Sequence, residues 1–373
     1  MDMHLINIVA ILGVVAMVLS AIPKHIFKYG LETAWLLIFA FLAVRYDFGN
    51  DYMSYFDGFT WGESFSNELD IDTETHNEPG WQMLCQLFKP LGFFVFVAVL
   101  TAFECFVFYR FVKEYVPEGY YWLAIFLFVF TPSIMLIGSS AMRQMLAIAI
   151  FVNSIKYLRG RRLIPYLISI FLATQFHSSA VILYPLYLLS FYQDKSASIK
   201  TNSLIIIAFF ILSLSSKHMM NIIEYVASFA GEEESMDYYL ENAVFQEGGS
   251  GFGYIVQIAI FCYLVLTLHM RDPKNRVLFL ILMLSTFIIP FASVIPMMGR
   301  FSFFFGACGV ACYPIILKND VVNNPNGLNF RKVSSIFVLS MVVVLTIYEY
   351  ITFFMSPVWI EKFSAYHTIF EVL

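Results

Sequence analysis

The chain has 373 residues, of which 60% are hydrophobic and 13% charged, with a formal net charge of −5 and a mean hydropathy of +0.74. No soluble globular domain needs that much apolar surface, and no nucleic-acid partner is expected. Apolar runs of about 18 or more residues recur from end to end, which is the signature of membrane-spanning helices. The reading is an all-α polytopic integral membrane protein, one domain over residues 1–373. Its 41 Phe and 22 Tyr suit lipid contact and membrane interfaces.

Taken in order, about twelve spans are predicted: 4–22, 30–44, 91–112, 120–137, 141–158, 163–176, 178–192, 202–216, 254–270, 277–296, 301–317 and 333–355. The first run has no basic start, and Pro23-Lys24 follows it rather than a small-residue cleavage site, so a cleavable signal peptide is not expected. The connecting loops set orientation. Lys24, Lys28, Arg110, Lys113, Lys156, Arg159, Arg161, Arg162, Lys195, Lys200, Arg271, Lys274, Arg276, Lys318, Arg331 and Lys332 fall in alternate loops, which the positive-inside rule assigns to the cytoplasm. Both termini are then extracytoplasmic. The opposite face is acidic, through the outer loops 45–90 and 217–253.

Residues 163–192 have basic residues at both ends, Arg161/Arg162 and Lys195, so both ends belong on the cytoplasmic side and a hairpin is predicted. Each arm is about 14 residues, or about 21 Å, shorter than the roughly 30 Å hydrocarbon core. Its turn, holding His177, is expected below the outer membrane surface, where non-helical backbone needs a protein-lined or watery cavity. Gly248-Gly249-Ser250-Gly251-Phe252-Gly253 carries no Walker lysine and is read as a lead into the next span. Cys85, Cys105, Cys262, Cys308 and Cys312 have no metal spacing and are read as small buried hydrophobes.

Candidate functional residues gather on the outer side. The stretch Arg45-Tyr46-Asp47-Phe48-Gly49-Asn50-Asp51-Tyr52-Met53-Ser54-Tyr55 opens the first outer loop with a guanidinium, two carboxylates and three phenols. Arg143 and Arg300 each stand at the mouth of a span running inward, and His177 begins a third. Helix N-termini carry partial positive charge and free N–H groups; arginines there make an anion site suited to phosphate oxygens. His177 is a candidate proton acceptor. Glu78-Pro79-Gly80-Trp81 sets a carboxylate at a helix start, with capping as the plain alternative. Asp70-Ile71-Asp72 has the form of a metal-binding pair, but so acidic a loop produces such pairs by chance, and no metal is expected. Glu104 is read as a paired structural acid in a span.

These pieces together resemble the EpsG family of polysaccharide polymerases, relatives of the Wzy O-antigen and capsule polymerases. The resemblance rests on Arg45-x-x-x-Gly49-x-Asp51-Tyr52-x-x-Tyr55, Glu78-Pro79-Gly80, Arg143-Gln144, Phe176-His177-x-Ser179-Ala180 with Pro185 beyond, and Arg300 before an aromatic run. It covers the chain through about residue 317; the last span matches only in hydrophobicity. It implies a multi-pass glycosyltransferase of the GT-C type in the bacterial cytoplasmic membrane, with its site on the extracytoplasmic side. The implied substrates are oligosaccharides on undecaprenyl diphosphate, in an inverting reaction without metal or other cofactor. The expected roles are diphosphate binding by Arg143, Arg300 and Arg45, base catalysis by His177 with Asp51 or Glu78 as second candidates, and sugar stacking by Tyr52, Tyr55 and Trp81. The sequence leaves open whether a chain-length regulator binds. The alternative is a lipid-linked oligosaccharide flippase, which would spread charges through span centres and face both sides in turn. An acyltransferase fits the orientation poorly, and a purely structural protein leaves the arginines unexplained.

Overall fold

The structure is a computed structural model that describes residues 4–61, 78–194, 198, 200–211, 252–292, 296–324 and 329–372. Asp70 and Asp72, with the rest of 62–77, and residues 212–251, which hold most of the loop 217–253, lie outside the described residues.

The described chain is almost entirely helical. In order, it contains α1 (Leu5–Ala21), α2 (Gly30–Ala43), a short strand β1 (Arg45–Tyr46), α3 (Tyr52–Trp61), α4 (Pro79–Phe88), α5 (Phe93–Tyr115), α6 (Tyr121–Phe130), α7 (Leu136–Ser140), α8 (Met142–Arg159) and α9 (Leu163–Thr174). A 3-10 helix follows over Ser178–Phe191, then α10 (Lys200–Ile211). The remaining elements are α11 (Phe252–Thr267), α12 (Pro273–Ala292), α13 (Pro296–Gly306), α14 (Gly309–Ile316), α15 (Phe330–Met355), α16 (Pro357–Ile360) and β2 (His367–Thr368). Helices therefore lie on each of the predicted apolar runs. Among the described residues three helices are individually long and apolar enough to cross a membrane: Phe93–Tyr115, Gly253–Met270 and Phe330–Met355. A fourth span arises if α13 and α14, bent by 50°, are taken together.

Local chemistry sets the boundaries. Pro132 cannot continue a helix, and α6 ends just before Thr131-Pro132. The Asp272 carboxylate takes the Lys274 N–H at 3.0 Å and Pro273 opens α12, a favoured start. Asn329 accepts the Lys332 N–H at 2.9 Å and caps α15. The exterior is apolar: α1 turns Ile11, Val14 and Val18 outward while burying Val9, Gly13 and Ala16, and Leu36, Phe106 and Phe337 are likewise exposed on their helices. So wide an apolar exterior is a lipid-facing surface rather than a water-facing one. The chain is an all-helical membrane protein.

The predicted hairpin is present, with a change of geometry. Tyr166 donates to the Leu183 carbonyl at 2.6 Å and Tyr187 to the Arg161 carbonyl at 2.8 Å, so the arms run antiparallel. The first arm is an α-helix of 12 residues, about 18 Å long. The return arm is a 14-residue 3-10 helix containing Pro185. Such runs rarely exceed four residues; the proline removes a donor in mid-arm.

Polar contacts separate the two ends of the bundle. At one end β1 pairs antiparallel with β2, Arg45 opposite Thr368, and the Leu5 N–H reaches the Ser364 carbonyl at 3.2 Å. The first helix, the tail and the 45–55 stretch therefore share a face. At the other end Lys24 pairs with Glu118 at 2.8 Å, Lys113 with Glu32 at 2.9 Å, and Arg161 with Asp194. There the buried Asp320 accepts from Arg271 at 2.6 Å, Arg331 at 2.5 Å, and Tyr263 and Ser335 both at 3.2 Å. This ties α11 to α15.

Removing one partner of a buried ion pair strands the other charge, at a cost of about 3–5 kcal/mol. Asp320→Ala is expected to lower the thermal midpoint in lipid nanodiscs strongly. Arg331→Ala, whose side chain is 35% exposed, is expected to lower it much less. Equal midpoints for Asp320→Ala and the unaltered protein would contradict the assignment.

Candidate active site

The 45–55 stretch attaches to the turn that leads into α8. Arg45 donates to the Leu42 carbonyl, to Thr101 Oγ1 at 2.7 Å and to the Ser139 carbonyl at 3.1 Å. The Asp51 N–H reaches Ser140 Oγ at 3.3 Å. Gly49 sits at φ +84°, and a Cβ there would strike Ser140 and Phe363, so both its backbone angle and its contact require glycine. Tyr55 completes the attachment: its ring lies 5.5 Å beneath the Arg143 guanidinium, and its hydroxyl takes Arg143 Nε at 3.4 Å.

A second docking event involves Glu78-Pro79-Gly80-Trp81 and the turn of the hairpin. The Trp81 N–H donates to the Gln175 carbonyl at 3.3 Å. A Cβ on Gly80 would lie 2.6 Å from Gln175 Cβ and 2.9 Å from its carbonyl oxygen. Proline at the first helical position needs no N–H partner, so α4 can start against this turn without an orphan donor. The His177 backbone is extended between α9 and the 3-10 helix, which frees the Ser178 N–H to point at Glu78.

The Glu78 carboxylate joins the two assemblies. Oε2 meets Arg143 Nη1 at 2.8 Å, while Oε1 accepts from His177 Nδ1 at 2.9 Å and from the Ser178 N–H at 3.0 Å. Glu78 is buried, with its side chain 5% exposed, whereas Arg143 is 21% and His177 14% exposed. The carboxylate is thus covered while its two partners reach the surface. Burial by itself raises the Glu78 carboxyl; the His177 hydrogen bond, the Arg143 charge and the Ser178 N–H outweigh it and hold the group below its ordinary value. The folded state therefore favours the ionised form. That contribution to stability is present above the unfolded carboxyl's pKa and is lost as pH falls through the lower folded one. An ionised carboxylate only accepts, so His177 Nδ1 carries the proton; in that tautomer of the imidazole Nε2 is the acceptor.

Several expected roles need correction. Arg45 is 1% exposed and its terminal nitrogens are bonded within the protein, so it holds the turn before α8 and cannot meet a diphosphate. Glu104 is buried one turn along α5 from Thr101, and no ion pair or hydrogen bond holds its side chain among the described residues, so it is not the paired acid expected of it. Tyr52 is fully buried, with its hydroxyl on the Arg45 carbonyl at 2.8 Å, and cannot stack on a sugar. Trp81 is buried between Tyr55 and Phe96, both 5.3 Å away, and is wall rather than platform. The N-terminus of the 3-10 helix is already occupied by the Glu78 carboxylate. Arg300 lies one turn inside α13 rather than ahead of it. Its carbonyl accepts from Gln144 Nε2 at 3.0 Å, which brings it beside Arg143, and its exposed guanidinium has no partner among the described residues. Asp51 is exposed at the start of α3.

Sequence reasoning missed Ser140, Gln144, Gln175 and Ser178 as positioning groups. Their only signal is adjacency to the motif residues, since each acts through a single backbone or hydroxyl contact made across the fold.

Gly80→Val is expected to push α4 off the hairpin turn and reduce activity by at least about tenfold, because small displacements of catalytic groups are costly. Gly58→Val, on α3 with nothing within 4 Å of an added Cβ, is the control. Equal activity of the two variants would contradict the docking.

Comparison with known proteins gives one match: the EpsG family, over residues 31–368. No curated protein and no solved structure matches. The match continues past residue 317, where the motif resemblance stops, through the last long helix and onto β2. With the family model covering nearly its whole length, the chain belongs to the EpsG family, a Wzy-like polymerase-related family of membrane proteins in polysaccharide biosynthesis.

Proposed function

We propose that this protein is an extracytoplasmic membrane glycosyltransferase that polymerises oligosaccharide repeat units carried on undecaprenyl diphosphate. The observation that carries this reading is the Glu78 junction, with Arg143 on one carboxylate oxygen and His177 on the other. It offers a proton acceptor and a guanidinium a few ångströms apart at one end of the bundle. The chain crosses the bacterial cytoplasmic membrane about twelve times in a GT-C-like arrangement, and the site faces away from the basic, cytoplasmic loops.

In this mechanism an acceptor sugar hydroxyl attacks the anomeric carbon of the growing chain. Its proton passes to His177 Nε2, while Glu78 fixes the tautomer and balances the imidazolium that forms. The anomeric C–O bond to the diphosphate breaks, and the leaving undecaprenyl diphosphate takes the electron pair. Its negative charge develops beside Arg143 and Arg300, which supply planar, fixed donors. A single displacement inverts the anomeric centre. No metal ion is required for charge neutralisation in this scheme. Asp51 and Tyr55 stand at the rim for acceptor contacts. The gathering of these groups at one end supports an enzyme over a flippase.

In nanodiscs supplied with an undecaprenyl-diphosphate oligosaccharide, ladder formation is expected to persist in EDTA. It is expected to fall about 10²–10³-fold in Arg143→Ala and Arg300→Ala and about 10²–10⁴-fold in His177→Ala. Near-normal ladders in both arginine variants would contradict the diphosphate role. Lipid carried across the bilayer with no ladder would favour the flippase.

A further inference from the structure

A cavity of about 790 Å³ lies between α6, α11, α12, the α13–α14 bend and α15. It falls in the size range of small-molecule sites, and the Glu78 junction does not line it. Two interruptions of helical structure open onto it: the Thr131–Ser133 break after α6, and the bend between Gly306 and Gly309. Non-helical backbone at membrane depth is tolerated where it is buried in protein or lines a cavity, and here both breaks converge on one chamber.

The lining includes a carboxyl and a carboxamide without an internal partner. Glu349 on α15 and Gln257 on α11 both face the cavity, and neither side chain makes a hydrogen bond or ion pair among the described residues. Asp320, by contrast, has two arginines, and Glu78 an arginine and a histidine. An unpaired carboxyl within a span is costly and marks function.

The chamber's chemistry narrows its occupant. No Lys, Arg or His among the described residues lines it, so it is unsuited to a diphosphate. An isoprenoid tail would leave the Glu349 and Gln257 polar groups covered and unbonded. A neutral polyhydroxyl ligand satisfies both, and Phe303 and Trp359 in the same lining offer apolar ring surface to sugar C–H faces. Ser302, also on the wall, is two residues from Arg300 on α13, so one helix joins the chamber to the cationic site.

We propose that this chamber binds neutral sugar residues of the substrate remote from the diphosphate, with Glu349 and Gln257 hydrogen-bonding to their hydroxyls. This rests on the glycosyltransferase reading and deepens it. Glu349 becomes a specificity-determining residue rather than a catalytic one.

The test uses one repeat unit, released as free oligosaccharide from the polymer of cells that carry this protein, titrated calorimetrically into the full chain in nanodiscs. The unaltered protein is expected to bind it, and Glu349→Leu and Gln257→Leu each to weaken binding by about tenfold or more, the loss expected for a hydrogen bond to a charged or buried polar group. Glu349→Gln, which keeps a donor and an acceptor, is expected to be intermediate. With lipid-linked substrate, the Leu variants are expected to raise KM about tenfold and leave kcat within about threefold, a loss of binding rather than of chemistry. Unchanged affinity in both Leu variants with preserved thermal midpoints would overturn the proposal, as would no binding to the unaltered protein. Glu349-dependent sugar binding without any ladder would sustain the chamber and sink the polymerase reading. A ladder whose KM ignores Glu349 and Gln257 would do the reverse. Proton-driven oligosaccharide transport that needs Glu349 would overturn both.

Discussion

One carboxylate holds one end of this helical bundle together. Glu78 meets Arg143 from 65 positions away in the chain, and His177 and the Ser178 N–H of one turn from 99 and 100 positions away. Each partner alone would be a costly group in a poorly hydrated site; together they satisfy one another. The arrangement requires that α4 start against the hairpin turn, hence Pro79 and Gly80, and that α8 start beside Tyr55, hence the anchoring of the 45–55 stretch. The Glu78 junction therefore depends on nearly every feature at this end of the fold, and those features converge on it.

The arginines illustrate how context divides one chemistry into two uses. Arg45, Arg143 and Arg300 all stand near the ends of helices. Arg45 spends its two terminal nitrogens on two carbonyls and a threonine hydroxyl and is sealed in the core. Arg143 gives one nitrogen to Glu78 and another to Tyr55 and remains partly exposed. Arg300 is exposed, tethered near Arg143 only through its backbone. Availability to an anionic substrate increases along that series as internal bonding decreases. At the opposite end Arg271 is spent on Asp320, which makes that face a clamp between helices.

Much of this was legible in the sequence because its causes are local or periodic. Apolar runs long enough to span lipid become helices, and alternate basic loops assign two faces whose contacts then stay within each face. The flanking charges of 163–192 foretold the hairpin. Glu78, Arg143 and His177 could be named as candidates because charge near lipid is expensive. Their mutual contact was not legible, since no spacing encodes it. Nor was the burial of Arg45 and Tyr52: Arg45 reads like Arg143 until Thr101 and the Ser139 carbonyl arrive from 56 and 94 residues away. The 3-10 geometry of the return arm has a local hint in Pro185, but one proline does not specify 14 residues of altered helix. The chamber around Glu349 was invisible because it exists only as the space that packed helices leave between them.

The central claim is that Glu78 acts through His177, and a double-mutant cycle on turnover tests it most directly. Glu78→Gln, His177→Gln and the double variant would be compared in nanodiscs with the same lipid-linked oligosaccharide. Coupling through Nδ1 predicts that the losses do not add, with the double variant within about threefold of the worse single one. Losses that multiply would show that the two residues act independently and would contradict the dyad.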